Sequence, residues 1–209
     1  MKNWLLVIGL ALMMAGSHAR GLAQEPSMTE PTWIAGDMWT YSVVHEPGKP
    51  AKLVTNLVVD ASATSYTIRT INPDGHYVIS SIARSDLLQP EGFAFTGPPP
   101  QWPLTVGQHW TGSSVCNPPT CTPSALLKSE VTVEAFELVN VPAGALTAFR
   151  LTVRMCADQP GSSQCGNMRM WFAPKPKTIA KWEIGSEKAI WGNWAGTVLL
   201  SLVSYAVAP

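Results

Sequence analysis

The sequence is dominated by short segments rich in Val, Ile, Thr, Tyr and Trp, and turn residues separate these segments. No window repeats apolar residues at the spacing of an amphipathic helix, whereas alternation with a period of two recurs. The pattern predicts an all-β domain, an antiparallel meander forming a half-barrel or barrel-like sheet with little helix. The predicted strands cover residues 38–45, 52–60, 64–71, 77–83, 108–115, 126–138, 145–156, 167–172, 178–183 and 197–206.

The first 23 residues have the features of a secretory signal peptide. Lys2 precedes an apolar run from Trp4 to Met14, which is too short for a permanent membrane span. Both Ser17-His18-Ala19 and Gly21-Leu22-Ala23 offer a small-x-small cleavage site, and cleavage after Ala23 is preferred because an acidic, proline-containing coil follows. We therefore expect a signal peptide over residues 1–23, a coil over 24–32 and one β-domain over 33–207.

This organisation predicts the compartment and excludes one class of partner. No cysteine precedes Cys116, so we expect a periplasmic or secreted protein that is not lipid-anchored and has no transmembrane segment after signal removal. Of the fourteen basic residues, Lys2 and Arg20 leave with the signal, so twelve face fourteen acidic residues with no run of like charge. Nucleic acid is excluded as a partner because phosphate binding needs concentrated Lys and Arg.

The alternation on either side of Cys156 and Cys165 predicts how these two cysteines pair. Apolar side chains occupy every second position in both segments, as in a sheet with one dry face. A Cys156–Cys165 disulfide across an antiparallel hairpin would set the pairs Phe149 with Phe172, Leu151 with Met170 and Val153 with Met168. A one-residue slip would pair core positions with solvent positions. The same register sets Arg150 beside Trp171, which we interpret as a cation–π pair.

The remaining cysteines are expected to form a second disulfide. By elimination Cys116 bonds Cys121 around the loop "NPPT". Zinc binding by the four cysteines is disfavoured because their spacing lacks a C-x-x-C knuckle and an oxidising compartment favours disulfides. We predict no metal and no cofactor.

A partial repeat, G-x-x-W-T, occurs at Gly36 to Thr40 and again at Gly107 to Thr111. We interpret both glycines as strand entrances and both tryptophans, Trp39 and Trp110, as core residues. The neighbouring Asp37 is interpreted as an acceptor for turn amides rather than as a catalytic acid.

Four ordered motifs carry a family resemblance: G-D-x-W-x-Y from Gly36, P-L-x-V-G-x-x-W from Pro103, V-P-A-G-x-x-x-A-x-R-L from Val141 and W-F-A-P from Trp171. The set resembles a family of exported bacterial domains of unknown function, and it covers about residues 33–205. The resemblance implies a β half-barrel in the cell envelope, similar to carrier and chaperone domains. We also interpret Pro142 and Gly144, within the third motif, as structural residues. The resemblance supplies no catalytic residues. The chain departs from the pattern in its two cysteine loops and in "WGNWAG".

The sequence argues against catalysis without excluding it. After the signal peptide it has three histidines, His45, His76 and His109, and it lacks a G-x-S-x-G elbow, an H-E-x-x-H pair and a phosphate loop. A triad assembled from distant positions stays open, because triads are recognised by geometry rather than by order.

The tryptophans give the positive signal for binding. Trp191 and Trp194 lie in a Gly-rich connection after Trp182, where exposed rings would stack on a sugar, a lipid tail or a protein. The candidate ligand-binding residues are Trp182, Trp191, Trp194, Arg150 and Trp171. The leading hypothesis is a non-enzymatic periplasmic binding or assembly protein whose apolar pocket accepts a lipid-like ligand or an envelope partner. The alternatives are a carbohydrate-binding module, a small envelope hydrolase and a purely structural assembly subunit.

Overall fold

A computed structural model of the chain describes residues 26–84, 100–116, 125–159, 162–187, 193 and 195–208. The described strands are β1 (Ser27–Met28), β2 (Met38–Val43), β3 (Lys52–Ala61), β4 (Ser65–Ile71), β5 (Tyr77–Ala83), β6 (Leu104–Thr105), β7 (His109–Cys116), β8 (Ala125–Val141), β9 (Gly144–Gln159), β10 (Ser162–Ala173), β11 (Thr178–Ile184) and β12 (Val198–Ala206).

Ten of these strands form one antiparallel sheet in the order β5-β4-β3-β2-β12-β11-β10-β9-β8-β7, and β1 pairs with β6 in a small second sheet. We call β2–β5 the N-terminal wing and β7–β11 the C-terminal wing, with β12 joining them. The prediction of an all-β antiparallel sheet is confirmed. In the described part of the chain the sheet is not closed into a barrel, since β5 and β7 each pair on one side. The short strands β1 and β6 were not predicted.

The repeated G-x-x-W-T builds the same local structure at the start of each wing. The amide of Gly36 donates to the carbonyl of Val58 at 2.9 Å, and the amide of Gly107 donates to that of Val133 at 2.8 Å. In return Val58 donates to the Asp37 carbonyl and Val133 to the Gln108 carbonyl, both at 2.9 Å. Trp39 and Trp110 are both buried.

Each copy of the repeat also lies beside an irregularity in the next strand. The register shifts between Val58 and Asp60 in β3 and between Val133 and Ala135 in β8. One extra residue at such a point is a β-bulge, which bends the strand and increases its twist. The repeat is therefore a device that starts a strand and curves its neighbour, rather than a binding motif.

Gly107 offers a test of this device. Its φ is 86°, a left-handed conformation, while a Cβ added there would meet no atom within 4 Å. Gly107→Ala is therefore expected to lower the free energy of unfolding by about 1 to 2 kcal/mol through backbone strain alone. Gly107→Asn should recover part of this loss, because Asn tolerates the left-handed region. Urea unfolding of both variants measures the effect, and an alanine variant as stable as the wild type would contradict it.

Register and alternation divide the side chains between two faces of the sheet. One face, which we call the core face, carries the large buried side chains, such as Trp39, Tyr66, Phe149, Leu151 and Phe172. By the same register the charged side chains of the described strands lie on the opposite, outer face, except for Lys52 at the start of β3. The core face of these strands is therefore uncharged except at the edge that holds Lys52.

The register predicted between β9 and β10 is confirmed. Cys156 pairs with Cys165, Val153 with Met168, Leu151 with Met170 and Phe149 with Phe172. Cys156 and Cys165 are joined in a disulfide. The second predicted disulfide lies outside the described residues at Cys121, so Cys116–Cys121 stays a prediction.

The connection between β10 and β11 is enclosed by the rest of the fold. We call residues 172–180 the β10–β11 tip; its members Phe172, Ala173 and Ala180 are fully buried. On one side the indole of Trp39 donates to the Pro176 carbonyl at 2.6 Å and that of Trp33 to the Lys177 carbonyl at 2.8 Å. These bonds fasten the tip to the core face of the N-terminal wing.

A buried hydroxyl pair strengthens the same junction. The Tyr41 hydroxyl lies 2.6 Å from the Thr178 hydroxyl. Burial raises the pKa of Tyr41 above its ordinary value, and the hydrogen bond with Thr178 opposes this only in part. The phenol is therefore neutral at physiological pH and serves as a structural hydrogen-bonding group.

The far end of the β8–β9 hairpin, residues 135–148, covers the other side of the tip. The amide of Ala143 donates to the Leu202 carbonyl at 3.0 Å, and β8 contacts β11 and β12. Leu146 and Ala148 are buried although they share the outer face with Arg150. The expectation of a single dry face along this strand is thus wrong for its first half. There the buried side chains, Leu146 and Ala148, lie on the outer face and Thr147 is exposed, because the hairpin packs against the tip.

Candidate functional site

Arg150 and Trp171, two predicted ligand-binding residues, meet at one carboxylate on the outer face. They are direct partners across β9 and β10, as predicted. Glu137 accepts hydrogen bonds from the Arg150 Nη1 at 3.1 and 3.2 Å and from the Trp171 Nε1 at 2.9 Å. A second carboxylate, Glu134, accepts from the Arg150 Nε at 3.1 Å.

The cation over the Trp171 ring is Lys181, whose Nζ lies 4.8 Å from the ring centroid. This differs from the expected Arg150–Trp171 stack, because Glu134 and Glu137 engage the guanidinium edge-on. Trp171 itself is buried. The arrangement is an intramolecular polar contact that links the β8–β9 hairpin to β10, and we interpret it as structural. The roles of Glu134, Glu137 and Lys181 could not be read from sequence, because the cluster that they form with Arg150 and Trp171 draws its residues from four strands, β8 to β11.

The predicted tryptophan site divides into a buried part and a part that the structure does not describe. Trp182 is buried on the core face, opposite Leu200. Trp191 and Trp194 lie outside the described residues, so their role in binding stays a prediction.

The residues predicted to be structural lie at turns and in the core. Gly36 and Gly107 start the wings, as described above, and Gly144 begins β9 with a φ of 114°. Pro142 is exposed in the hairpin turn beside Ala143, the residue that bonds β12. Asp37 is buried, and its carboxylate accepts from the amides of Ile34 at 3.1 Å and Ala208 at 2.9 Å. That is the turn-amide role expected for it, extended to the C-terminal segment.

The histidines do not converge. His45 and His76 are exposed at the turn end of the N-terminal wing, and His109 is exposed at the start of β7 in the other wing. An open cleft of about 370 Å³ is lined by His45, Lys52, Asn72, Pro73 and Asp74. It brings one histidine and one carboxylate together, yet the described residues that line it offer no hydroxyl or thiol nucleophile of the kind a hydrolase needs. Within the described residues no group of three His, Cys, Asp or Glu side chains could hold a metal ion.

The outer face of the N-terminal wing carries an apolar surface that the sequence did not single out. We call it the N-terminal patch. Three of its side chains are more than half exposed, Leu53 at 54%, Tyr77 at 58% and Ile79 at 53%. Met38, Leu57 and Ile71 complete it.

Register shows why these side chains form one surface. Met38, Leu57, Arg69 and Ile79 lie in one row across β2–β5, and Thr40, Thr55, Ile71 and Tyr77 lie in the next. The one charge in these rows is Arg69, whose guanidinium lies 5.2 Å from the Tyr77 ring centroid. Contiguous exposed apolar surface of this kind marks interaction sites in soluble proteins.

Strand β5 gives the patch an open backbone edge. In the described structure β5 pairs only with β4, through seven consecutive residue pairs without a register shift. Its sequence, YVISSIA, has no charge, proline or glycine, the devices with which proteins block edge pairing. The lack of charge in this strand is visible in the sequence. Its position at the edge of the sheet could not be predicted, because that depends on which strands pair.

Within the described residues there is no helix with the length and apolarity of a membrane span. No protein-family model matches the chain, and no curated protein matches it at a significant level.

Three solved structures are similar to this chain in their overall backbone structure. A proposed lipoprotein from Parabacteroides distasonis shares 11% identity at a TM-score of 0.46, covering 86% of this chain and 99% of its own. A proposed exported protein with a YmcC-like fold from Bacteroides fragilis shares 14% sequence identity at a TM-score of 0.43. The match covers 87% of this chain and 100% of that protein. The hypothetical lipoprotein YmcC from Escherichia coli shares 8% sequence identity at a TM-score of 0.43. The match covers 86% of this chain and 90% of that protein. At these TM-scores the similarities carry no argument about the function of this chain.

Proposed function

We propose that this chain is an exported, non-enzymatic binding or assembly domain that engages an envelope protein through its N-terminal patch. The observation that carries the proposal is the contiguity of the exposed patch with the uncharged edge of β5, which is open in the part of the chain that the structure describes. Export is supported by the signal-peptide pattern of residues 1–23 and by the Cys156–Cys165 disulfide, which forms in oxidising compartments.

The geometry favours an extended protein segment as the occupant. An open edge offers unpaired backbone N–H and C=O groups, which a β-strand from another chain satisfies in full and a lipid tail does not. Exposed Tyr77 and Ile79 would then pack against alternate side chains of the added strand. An apolar interior pocket receives less support, because the β10–β11 tip and the side chains around it occupy the core face beneath the N-terminal wing.

Site-specific photo-crosslinking in cells tests this proposal. A benzophenone side chain at Tyr77 is expected to give an adduct with another envelope protein. The same group at Leu138, which is 64% exposed on the β8–β9 hairpin, should give none. Adding Ile79→Lys should weaken the Tyr77 adduct about tenfold, since a charge on the edge opposes strand pairing and the apolar contact is lost. Leu138→Lys serves as the matched control and should leave the adduct unchanged.

The identity of the crosslinked molecule also shows what binds the N-terminal patch: another envelope protein, a second copy of this chain or a lipid. An adduct whose partner peptide maps to an extended segment supports strand addition. An adduct with a second copy of this chain, with lipid alone, or of equal strength from Leu138 would reject an envelope-protein partner at the patch.

A further inference from the structure

The Cys156–Cys165 disulfide lies on the outer face of the C-terminal wing, away from the N-terminal patch. Both cysteines are half-buried, and they share this face with Arg150 and Arg154 by register. The bond is therefore within reach of solvent, unlike a disulfide packed in a core.

The two sulfur atoms have different electrostatic surroundings. The Nη2 of Arg154 donates to the Sγ of Cys165 at 3.5 Å, while its Nη1 lies 3.5 Å from the Glu130 carboxylate. Two different nitrogens make these contacts, so the ion pair does not displace the guanidinium from the sulfur. No such contact with Cys156 occurs among the described residues, and Cys156 lies opposite Lys128 in the β8–β9 register.

This asymmetry has a chemical consequence for thiol–disulfide exchange. A thiolate attacks one sulfur of a disulfide, and the other leaves as a thiolate, faster when that leaving thiolate is better stabilised. A neighbouring cation stabilises a thiolate. The contact from Arg154 stabilises the departing sulfur of Cys165, so attack at Cys156 is favoured.

From these contacts we infer that the Cys156–Cys165 disulfide is a thiol-exchange site with a fixed direction, attacked at Cys156 by a small thiol of the envelope. A bond forms between the incoming sulfur and Sγ of Cys156 as the Sγ–Sγ bond breaks. The electron pair of the broken bond goes to Sγ of Cys165, which becomes a thiolate beside Arg154. One disulfide is consumed and one mixed disulfide is made, so no external oxidant or reductant is needed.

Trapping with glutathione tests the direction of attack. Folded mature protein is treated with reduced glutathione, quenched with N-ethylmaleimide and mapped by mass spectrometry. We expect glutathione on Cys156 and maleimide on Cys165, with this product exceeding the reverse one by about three- to tenfold, the size of effect that a charged leaving-group contact produces. Arg154→Gln should bring the two products close to equal and slow the reaction.

Two further variants separate this role from a structural one. Arg169→Gln removes a guanidinium from the same face, where it pairs with Glu183 at 3.3 Å, and should leave rate and direction unchanged. Arg154→Lys keeps the charge and should restore part of the preference for Cys156. Equal labelling in the wild type, unchanged labelling in Arg154→Gln, or reaction only after denaturation would each show that the bond is a structural crosslink and overturn the inference.

Discussion

Ala148→Glu is expected to lower the free energy of unfolding by about 3 to 5 kcal/mol, because it places an ionisable group in a fully enclosed position. Ala148 has no exposed surface, and its direct partner across β8 is Glu137, whose carboxylate is already engaged by Arg150 and Trp171. A second carboxylate there would meet repulsion as well as desolvation. Urea unfolding followed by circular dichroism measures the change.

The neighbouring residue provides the control. Thr147 is exposed although its place in the alternation matches that of Phe149, so Thr147→Glu should change stability by no more than about 0.5 kcal/mol. Simple alternation along β9 predicts the reverse order, with Thr147 buried and Ala148 in solvent. Equal effects, or a larger effect at Thr147, would show that the β8–β9 hairpin does not cover the β10–β11 tip.

Trp39→Ala is expected to cost about 3 to 5 kcal/mol, as large-to-small changes at buried aromatic residues do. Trp39 is 1% exposed, lies 4.7 Å from the Trp33 ring centroid and donates to the Pro176 carbonyl. Trp39→Phe keeps most of the packing and should cost about 1 to 3 kcal/mol, the cost of leaving a buried acceptor unpaired. Guanidinium unfolding of both variants separates packing from hydrogen bonding.

Tyr77→Ala is the matched control, because it removes a large aromatic side chain that is mostly exposed. It should change stability by no more than about 0.5 kcal/mol. If Trp39→Ala were as mild as Tyr77→Ala, the tip would not be fastened to the N-terminal wing through this indole.

The sequence predicted those parts of the fold that depend on local period. Alternation between Phe149 and Met155 and between Met168 and Phe172 was sufficient to predict both the pairing of β9 with β10 and the disulfide, because a one-residue slip would reverse every side chain. The G-x-x-W-T repeat likewise predicted the entrance to each wing. Its bonds to Val58 and Val133 could not be predicted, since those residues lie in partner strands that local sequence does not specify.

The sequence failed where distant segments pack on one another. Ala148, Ala173 and Ala180 are small residues whose preferred face is ambiguous, and only the meeting of the β8–β9 hairpin with the tip buries them. For the same reason Trp171 has the pattern of an outward-facing residue but is enclosed.

The candidate site was missed for a related reason. Leu53, Tyr77 and Ile79 lie in strands whose composition is typical of core strands, but their register places them on the outer face, where they are exposed. The tryptophan pattern of the sequence predicted a site at Trp191 and Trp194, which lie outside the described residues, and that expectation stays a prediction.

Native mass spectrometry of the mature protein, released gently from its own envelope, tests the central claim most directly. The account predicts a species with an additional polypeptide for the wild type and a bare monomer for Ile79→Lys, with Leu138→Lys behaving as the wild type. A bare wild-type monomer, a bound lipid without protein, or a complex that survives Ile79→Lys would contradict it.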